Sequence, residues 1–376
     1  MPQGLSGAGR HPRHADRRGG ALDTAGITAV ILAGGQGTRL RPLTLERPKP
    51  IVPLLNVPFL AYQLDLLRRH GIADVVLSCS YMVDAIRAVM GDGRAWGVRL
   101  RYAVETDPLG TGGGVRNAID LVGGLVVVLN GDVLTDPDLG AMLAFHAERG
   151  ARATIYLHPV PDPTPYGLVE LGAGGRVLRF IEKPDPSEIT TNTINAGIYV
   201  IDRELIPRIA TDRPVSIERE FFPGLLAADI AFFGWAPKRY WLDIGSPVKY
   251  REAHVDLMAG KVGTGAAPPL WSSACAEVTT AAGAIVKPPS VIGPGTRLGP
   301  DCRVGPDAVL GERCTLGPGV IVEGAILWDR VEVGAGAVLR DCIVATGARI
   351  GAGCVVGPGA VVEAGASVPD HTRITS

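Results

Sequence analysis

Residues 292–319 read IGPGTRLGPDCRVGPDAVLGERCTLGPG, in which an aliphatic side chain returns at every sixth position. The spacing extends well beyond this stretch, and glycine usually follows the aliphatic residue, as expected where a chain turns sharply. The positions are Val286, Ile292, Leu298, Val304, Leu310, Leu316, Val322 and Trp328, then Val333 and Leu339 after a slip of one residue, then Ile350, Val356, Val362, Val368 and Ile374. Such a period predicts a parallel β-helix of about five coils, with these residues pointing inward.

The six cysteines form no C-x-x-C pair and have no matching histidine spacing. They therefore indicate neither a zinc site nor a disulfide framework, and a reduced cytoplasm is expected. Cys302, Cys314 and Cys354 each take the fifth place of a hexad, which small residues usually occupy. We predict that these three cysteines are packing residues.

The bulk composition excludes several classes of protein. The chain has 376 residues, of which 46% are hydrophobic and 20% charged, so it can form two globular domains. A formal net charge of −1 argues against a general nucleic-acid or membrane-surface binder. No apolar run approaches the roughly 20 residues of a membrane span, and no signal-type core follows the Arg- and His-containing start.

Residues before the repeat alternate between strand-like and helix-like runs up to about residue 260, which is typical of an α/β fold. Strands are predicted at 27–32, 75–79, 99–105 and 125–130. Asn56 and Pro58 open a helix that Gly71 ends, and Asp136 with Pro137 is expected to start another. The predicted divisions are a disordered tail at 1–25, a catalytic domain at 26–260, a linker at 261–284 and the β-helix at 285–376.

A glycine-rich turn, ILAGGQGTRLRPLTLERPKP at 31–50, follows the first strand. Backbone N–H groups at Gly34, Gly35 and Gly37 can approach an anion closely, although the spacing fits neither the dinucleotide nor the phosphate-loop pattern. A plain tight turn is the alternative interpretation of the glycines alone.

Four cations crowd the same segment, and its prolines stiffen the backbone. Arg39, Arg41, Arg47 and Lys49 repel one another unless an anion is bound, so we predict a preorganised site for a polyphosphate. A solvated basic loop is the alternative.

Two aspartates are candidate ligands for the Mg²⁺ that accompanies a nucleoside triphosphate. Asp132 follows the strand at 125–130, at the edge where open α/β sheets bind ligands. Asp243 lies in the apolar run WLDIGS, where an unpaired carboxylate would be costly. A helix cap or a salt bridge would also satisfy Asp243, and Ser246-Pro247 is expected to start a helix nearby.

Five motifs in order resemble those of the sugar-1-phosphate nucleotidylyltransferases. They are LAGGQGTRLRPLTLERPKP, NGD at 130–132, EKP at 182–184, NAG at 195–197 and WLDIGS at 241–246. The resemblance is greatest to members that transfer a guanylyl group from GTP to mannose 1-phosphate. It covers about residues 27–376 and implies a Rossmann-like nucleotidyltransferase domain with a mostly parallel sheet, followed by a left-handed β-helix.

The resemblance also implies roles for individual residues, with Mg²⁺ held by Asp132 and Asp243. The implied nucleotide-binding residues are Ala33, Gly34, Gly35, Gly37, Thr38, Arg39, Gly110 and Thr111. The implied sugar-phosphate-binding residues are Gly167, Glu182, Lys183 and Asn195. The implied catalytic residues are Arg39, Lys49, Asp132, Lys183 and Asp243.

Other functions stay open at the level of the sequence. A glucose-1-phosphate thymidylyl- or uridylyltransferase and a manno-heptose-1-phosphate guanylyltransferase share the same reaction. A β-helix acyltransferase is a rival of another class, although such enzymes commonly use a histidine between coils and the repeat contains only His371. A non-catalytic regulatory subunit with the same fold is a further alternative. We expect a cytoplasmic homo-oligomer associating through the β-helix, with no nucleic-acid or membrane partner.

Overall fold

The computed structural model describes residues 24, 26–267 and 277–375. The predicted tail at 1–25 lies outside the described residues except for Thr24. Residues 268–276 of the predicted linker also lie outside them. None of the described helices is long and apolar enough to cross a membrane.

A mixed sheet of nine strands forms the centre of the N-terminal domain, in the order β10-β9-β11-β6-β1-β4-β5, with β8 paired to β11 and β12 paired to β8. The strands of this domain are β1 (Ile27–Leu32), β2 (Pro53–Leu54), β3 (Val57–Pro58), β4 (Asp74–Cys79), β5 (Arg99–Val104), β6 (Leu125–Asn130), β7 (Val133–Thr135), β8 (Ala153–Pro159), β9 (Gly167–Leu171), β10 (Val177–Glu182), β11 (Thr193–Asp202), β12 (Phe232–Trp235) and β13 (Trp241–Asp243). Strands β6, β1, β4 and β5 are parallel neighbours, whereas β11 runs antiparallel to β6, β8 and β9.

Six α-helices accompany the sheet within the described residues. They are α1 (Phe59–Arg69), α2 (Val83–Met90), α3 (Gly110–Asn117), α4 (Leu139–Glu148), α5 (Phe222–Ala227) and α6 (Pro247–Met258). Two apolar clusters cover the faces of the sheet, one containing Leu64 and Leu77 and the other Val128 and Phe222. The sheet is therefore buried on both faces.

Most predicted elements of this domain are confirmed. Strands β1 and β6 have the predicted bounds, and Ser246 caps α6 by accepting a hydrogen bond from Lys249 N at 3.3 Å. The start of α4 was predicted wrongly, because Asp138 is the capping residue and accepts from Ala141 N at 3.0 Å. Asp136 instead accepts from the backbone N–H groups of Tyr240 and Gly263.

The C-terminal domain is a left-handed parallel β-helix of three parallel sheets. Its strands are β14 (Thr279–Thr280), β15 (Ile285–Val286), β16 (Ser290–Ile292), β17 (Arg297–Leu298), β18 (Arg303–Val304), β19 (Ala308–Leu310), β20 (Thr315–Leu316), β21 (Ile321–Glu323), β22 (Ile326–Leu327), β23 (Glu332–Val333), β24 (Val338–Arg340), β25 (Ile343–Val344), β26 (Arg349–Ile350), β27 (Val355–Val356), β28 (Val361–Val362), β29 (Ser367–Val368) and β30 (Arg373–Ile374). Cys302, Cys314 and Cys354 are fully buried in its core, as their hexad position predicted.

The hexad assignment was wrong at Trp328. The inward position of that coil belongs to Leu327, which lies in the interior cluster of the β-helix and pairs with Leu310 and Val344. The slip of one residue therefore precedes Leu327, and Trp328 turns outward to the N-terminal domain. Two adjacent apolar residues fit the sequence pattern equally well, so the period alone could not decide between them.

One sheet of the β-helix packs directly on the N-terminal domain. Outward-facing residues of this sheet, among them Val309, Ile326 and Ile343, are buried in a shared apolar cluster with Leu40 and Tyr250. Polar contacts accompany it, since Arg251 on α6 forms an ion pair of 2.6 Å with Asp341. The two domains thus form a continuous packed interface in the described residues.

Candidate active site

Two cavities lie at the carboxyl edge of the parallel strands, and they adjoin. Their volumes are about 480 and 720 Å³. Arg39, Asn130, Asp132 and Gly245 line both of them. Because open α/β sheets bind ligands at this edge, molecules in the two cavities would be neighbours.

The first cavity gathers the predicted nucleotide-binding residues. Its lining includes Ala33, Gly34, Gly35, Gly37, Thr38, Arg39, Lys49, Gly110 and Thr111. Gly110 has φ of +75°, and a Cβ there would lie 2.6 Å from Val215 O, so only glycine fits this turn. The Thr111 hydroxyl donates to Glu218 at 2.7 Å and accepts from Ile217 N at 2.9 Å. That hydroxyl consequently fixes the cavity wall.

Two of the four cations of the first motif do not line either cavity. Arg41 is exposed and lies 3.4 Å from Gln36 Oε1, whereas Arg47 faces the β-helix. Arg39 and Lys49 remain at the cavities. The sequence-based expectation of a four-cation polyphosphate site therefore reduces to two cations, because the chain leaves the cavity wall between Arg39 and Lys49.

Asp132 and Lys49 form an ion pair at the junction of the two cavities. Lys49 begins a short 3₁₀ helix, Lys49–Ile51, and its Nζ lies 3.2 Å from Asp132 Oδ2. The lysine side chain is only 10% exposed, whereas that of Asp132 is 38% exposed. The Asp132 carboxylate is thus the more accessible partner in the cavity, and the largely buried Lys49 ammonium neutralises its charge.

Asp243 is brought to Asp132 by a short antiparallel ribbon. Strand β13 pairs with β7, which places Asp243 opposite Val133, and Ile244 N donates to Asp132 O at 3.1 Å. A Cβ at Gly245 would lie 2.7 Å from Asp243 Oδ1 and 2.8 Å from Arg39 Nη2, so glycine permits this close approach. Sequence alone could not show the ribbon, because it joins distant segments.

The environment of Asp243 disfavours its negative charge. Burial raises the pKa of Asp243, and the charge of Asp132 raises it further, while Lys49 and Arg39 oppose the increase. Arg39 Nη1 lies 3.8 Å from Asp243 Oδ2. Oδ1 is buried and has no hydrogen-bond partner among the described residues, and the capping residue of α6 is Ser246 and not Asp243.

The donor set at this junction fits a divalent cation that arrives with phosphates. Among residues 24, 26–267 and 277–375, no cluster of three or more His, Cys, Asp or Glu side chains could hold a metal by itself. Mg²⁺ commonly takes one or two protein carboxylates and completes its coordination with phosphate oxygens and water. Asp132 and Asp243 supply two such carboxylates, and Asn130 Oδ1 is a further buried oxygen without a partner in the described chain.

The second cavity gathers the predicted sugar-phosphate residues. Gly167, Glu182, Lys183, Asn195 and Asp243 line it. Burial raises the pKa of Glu182, and the nearby carboxylate of Glu218 adds to the increase. Asn195 Oδ1 accepts from Gly197 N at 3.0 Å, and its Nδ2 donates to the Tyr199 hydroxyl at 2.9 Å. The Asn195 side chain therefore satisfies a nearby backbone N–H group, as asparagine often does.

Sequence reasoning missed the aromatic wall of this cavity. Tyr166 and Trp241 line it in an edge-to-face pair with ring centroids 5.3 Å apart. Trp241 Nε1 donates to Ala196 O at 2.9 Å, which fixes the indole plane. Aromatic faces commonly form apolar walls in small-molecule sites. The signal was present in WLDIGS, where the tryptophan precedes the predicted metal ligand by two positions.

Glu105 is a second missed residue, and it lies in the first cavity. It is only 7% exposed, accepting from Ser78 Oγ at 2.8 Å on Oε1 and from Leu109 N at 3.0 Å on Oε2. Each oxygen of an ionised carboxylate can accept a further hydrogen bond. Sequence reasoning missed Glu105 because it ends a strand-like run, where a polar residue is common.

Comparison with known proteins agrees with this arrangement. A family model described as Nucleotidyl transferase matches residues 28–260, and one described as EIF2B subunit epsilon LbH domain matches residues 274–374. A mannose-1-phosphate guanylyltransferase of Mycobacterium tuberculosis is 38% identical over 320 residues, covering 85% of this chain and 84% of that protein. A probable mannose-1-phosphate guanylyltransferase 2 of Arabidopsis thaliana is 40% identical over 60% of this chain and 63% of that protein.

Solved structures resemble the N-terminal domain. HddC of Yersinia pseudotuberculosis has a TM-score of 0.54 and 29% identity, covering 61% of this chain and 99% of that chain. A putative glucose-1-phosphate thymidylyltransferase from Bacillus anthracis has a TM-score of 0.56 and 23% identity, covering 61% and 94%, and supports the fold alone.

Proposed function

Because the chain belongs to the nucleotidyl transferase family, we propose that it transfers a guanylyl group from GTP to mannose 1-phosphate, giving GDP-mannose and pyrophosphate. The broader activity, transfer of a nucleoside monophosphate from an NTP to a sugar 1-phosphate, is supported by the family match and by the name of the relative that covers most of this chain. The observation that carries the proposal is the junction at Asp132, where a cavity with a glycine-rich cationic wall meets a second cavity with a carboxylate and a lysine.

The proposed reaction is an in-line displacement. An oxygen of the sugar phosphate forms a new bond to the α-phosphorus of the NTP, and the bond from that phosphorus to the bridging oxygen breaks. The electron pair leaves with pyrophosphate. Since the attacking phosphate is already an anion, no strong base is needed, and positioning with charge neutralisation supplies most of the acceleration.

Named residues supply that positioning in the proposal. The backbone around Gly35 and Gly37, with Arg39, would bind the triphosphate, and Lys49 would face the α-phosphate from the pair it forms with Asp132. Asp132 and Asp243 would hold Mg²⁺, which when bound would neutralise phosphate charge. Support for this assignment is the unpaired Oδ1 of Asp243 in the described structure.

We propose that the Glu105 carboxylate in the first cavity selects guanine. Guanine offers adjacent N–H donors on its N1 and exocyclic N2, which suit a two-oxygen acceptor. Uracil, thymine and adenine offer no such pair of donors, and their carbonyl or ring acceptors would meet a negative charge. Support also comes from the guanylyltransferase names of the relatives.

The sugar phosphate is proposed to bind in the second cavity. Lys183 would pair with the phosphate, and the Glu182 carboxyl would bind hydroxyl groups beside the wall formed by Tyr166 and Trp241. Gly167 and Asn195 would contact the hexose. Mannose is favoured over other hexoses by the names of the relatives alone, so the sugar is the part of the proposal that most needs a direct measurement.

Three further proposals concern the whole chain. The domain limits at 1–25, 26–260, 261–284 and 285–376 stand as a proposal.

A cytoplasmic location is supported by the unpaired, buried thiols of the five described cysteines. Homo-oligomerisation through the β-helix is supported by the outer face of one of its sheets, where Ile321, Val338 and Val355 alternate with core residues. Light scattering of the purified protein tests the last.

A substrate matrix tests the activity. Pyrophosphate release is measured with five NTPs against mannose, glucose and heptose 1-phosphates in the presence of Mg²⁺, with acetyl-CoA consumption as a parallel assay. The proposal expects the highest kcat/KM with GTP and mannose 1-phosphate. Turnover with another pair only would replace the substrates, and absence of any turnover would remove the enzyme assignment.

A further inference from the structure

The β-helix touches the loop that carries Lys49. This loop, residues 47–53, forms part of the first cavity wall through Lys49 and Pro50. Arg47, at its start, lies with its guanidinium carbon 5.3 Å from the ring centroid of Trp328 and its Nη2 3.7 Å from Asp329 Oδ2. Both partners belong to the β-helix turn that follows β22.

The other end of the loop is linked to the same tryptophan through Tyr250. Trp328 Nε1 donates to the Tyr250 hydroxyl at 3.1 Å, and that hydroxyl donates to Pro53 O. Trp328 is 3% exposed and Tyr250 is fully buried, so these bonds are shielded from water. Trp328 therefore contacts one end of the loop directly through Arg47 and is linked to the other end through the Tyr250 hydroxyl.

The backbone of the loop is restricted between Arg47 and Lys49. Pro48 and Pro50 flank Lys49 and restrict φ on either side of it. Ile51 N donates to Pro48 O at 3.0 Å and Val52 N to Lys49 O at 3.2 Å, which closes a 3₁₀ turn. A displacement of Arg47 consequently moves Lys49 instead of being absorbed by soft dihedral angles.

We propose that the β-helix is a positioning element of the active site, in which Trp328 and Asp329 hold Arg47 and thereby set the place of Lys49 opposite Asp132. This inference rests on the proposed function for its kinetic consequence, because Lys49 acts on the nucleotide only if the reaction is the one proposed. Trp328 and Asp329 are positioning residues, since they contact Arg47 and not the cavities.

The interface supplies a matched control. Asp341 also pairs with an arginine of the N-terminal domain, Arg251, at 2.6 Å, but this pair lies on α6 and not on the loop. Both ion pairs are partly exposed, so neither contributes much to overall stability. Asp329→Asn and Asp341→Asn therefore differ mainly in which segment they release. Asp329 Oδ1 keeps its bond from Glu312 N in the variant.

The test compares these two variants in the full-length protein. Hydrogen exchange is measured at the amides of Ile51 and Val52, whose hydrogen bonds close the turn at Lys49, together with kcat and KM for GTP and mannose 1-phosphate. Asp329→Asn is expected to increase exchange at these amides several-fold and to lower kcat about tenfold with KM for GTP within about threefold. Asp341→Asn is expected to change neither quantity.

Equal effects of the two variants, or protected loop amides with normal kcat in Asp329→Asn, would overturn the proposal. Arg47→Lys is the second variant if Asp329→Asn does not fold, because it keeps the charge but loses the planar group over Trp328. The exchange measurement needs no substrate, so a wild-type protein without turnover would reject the proposed function while leaving the loop comparison decisive.

Discussion

The ammonium of Lys49 lies 3.2 Å from the carboxylate of Asp132, joining a proline-bounded turn to the end of the central strand β6. This contact ties the cationic segment at 39–49 to the carboxylate that both cavities share. In the proposed reaction the lysine would neutralise Asp132 before the nucleotide arrives and face phosphate afterwards. The strand end and the loop therefore form one functional unit.

Replacing Asp132 by asparagine is expected to lower kcat by about 10³-fold, because it removes a metal ligand's charge at nearly constant volume. The fold should survive, with Tm within about 2 °C of the wild type. Steady-state turnover over a range of Mg²⁺ concentrations checks this, and Asp138→Asn, at an exposed helix cap, is the matched control. Activity near the wild-type level with Mg²⁺ present would reject the metal assignment.

Asp243→Asn is expected to stabilise the metal-free protein while abolishing turnover. The folded-state pKa of Asp243 is raised, chiefly by burial, so its contribution to stability is most favourable below its ordinary pKa and declines as pH rises through the raised value. At neutral pH the charged, incompletely paired carboxylate therefore costs free energy, and asparagine should recover about 1 kcal/mol. Denaturant unfolding with and without Mg²⁺ measures this.

Stabilisation by Mg²⁺ with GTP should disappear in the same variant, since ligand binding stabilises only a protein that binds. A metal-free variant less stable than the wild type would contradict the account of Asp243.

The sequence predicted the site better than the interface, and the residues show why. Gly35, Arg39 and Asp132 follow strands whose apolar runs are unmistakable, so their place at one sheet edge is set by local pattern. Trp328 was misplaced because its neighbour Leu327 satisfies the same period, and only packing against Tyr250 distinguishes them. No local pattern records such contacts between domains.

Two further errors have the same origin. Arg47 was assigned to the phosphate site by its charge and spacing, yet its direction depends on the β-helix turn that it meets. Glu105 was overlooked because its partners, Ser78 and Leu109 N, come from separate segments. Charge and type can be read from a sequence, but direction and burial depend on tertiary packing.

Glu105→Gln is expected to lower kcat/KM for GTP about 100-fold, because the amide leaves one guanine donor facing an N–H group. The ratio of GTP to UTP activity should fall by a similar factor, which distinguishes base recognition from general damage. Competition between the two nucleotides in one assay measures the ratio directly. Ser78→Ala is the companion variant, since it removes a Glu105 partner but keeps the carboxylate. An unchanged ratio in Glu105→Gln would exclude this residue as the guanine reader.

His254 is expected to make the protein sensitive to mild acid. It lies on α6 beside the interface, 1% exposed, with its ring centroid 4.6 Å from that of Tyr250. Burial lowers the pKa of His254 from 6.5 to about 4. Below the unfolded value the unfolded chain binds a proton that the folded protein excludes, so stability falls as pH drops from about 6.5 to about 4, by roughly 3 kcal/mol in all.

His254→Phe should flatten this decline, because phenylalanine keeps an aromatic ring at this position and binds no proton. Denaturant unfolding at intervals between pH 7.5 and 5 measures the slope for both proteins. His371→Gln is the control, since that histidine is exposed at the end of the β-helix. If the wild type and His254→Phe lose stability in parallel on acidification, the cause is not His254, and His146, the other buried histidine of the described residues, becomes the group to replace next.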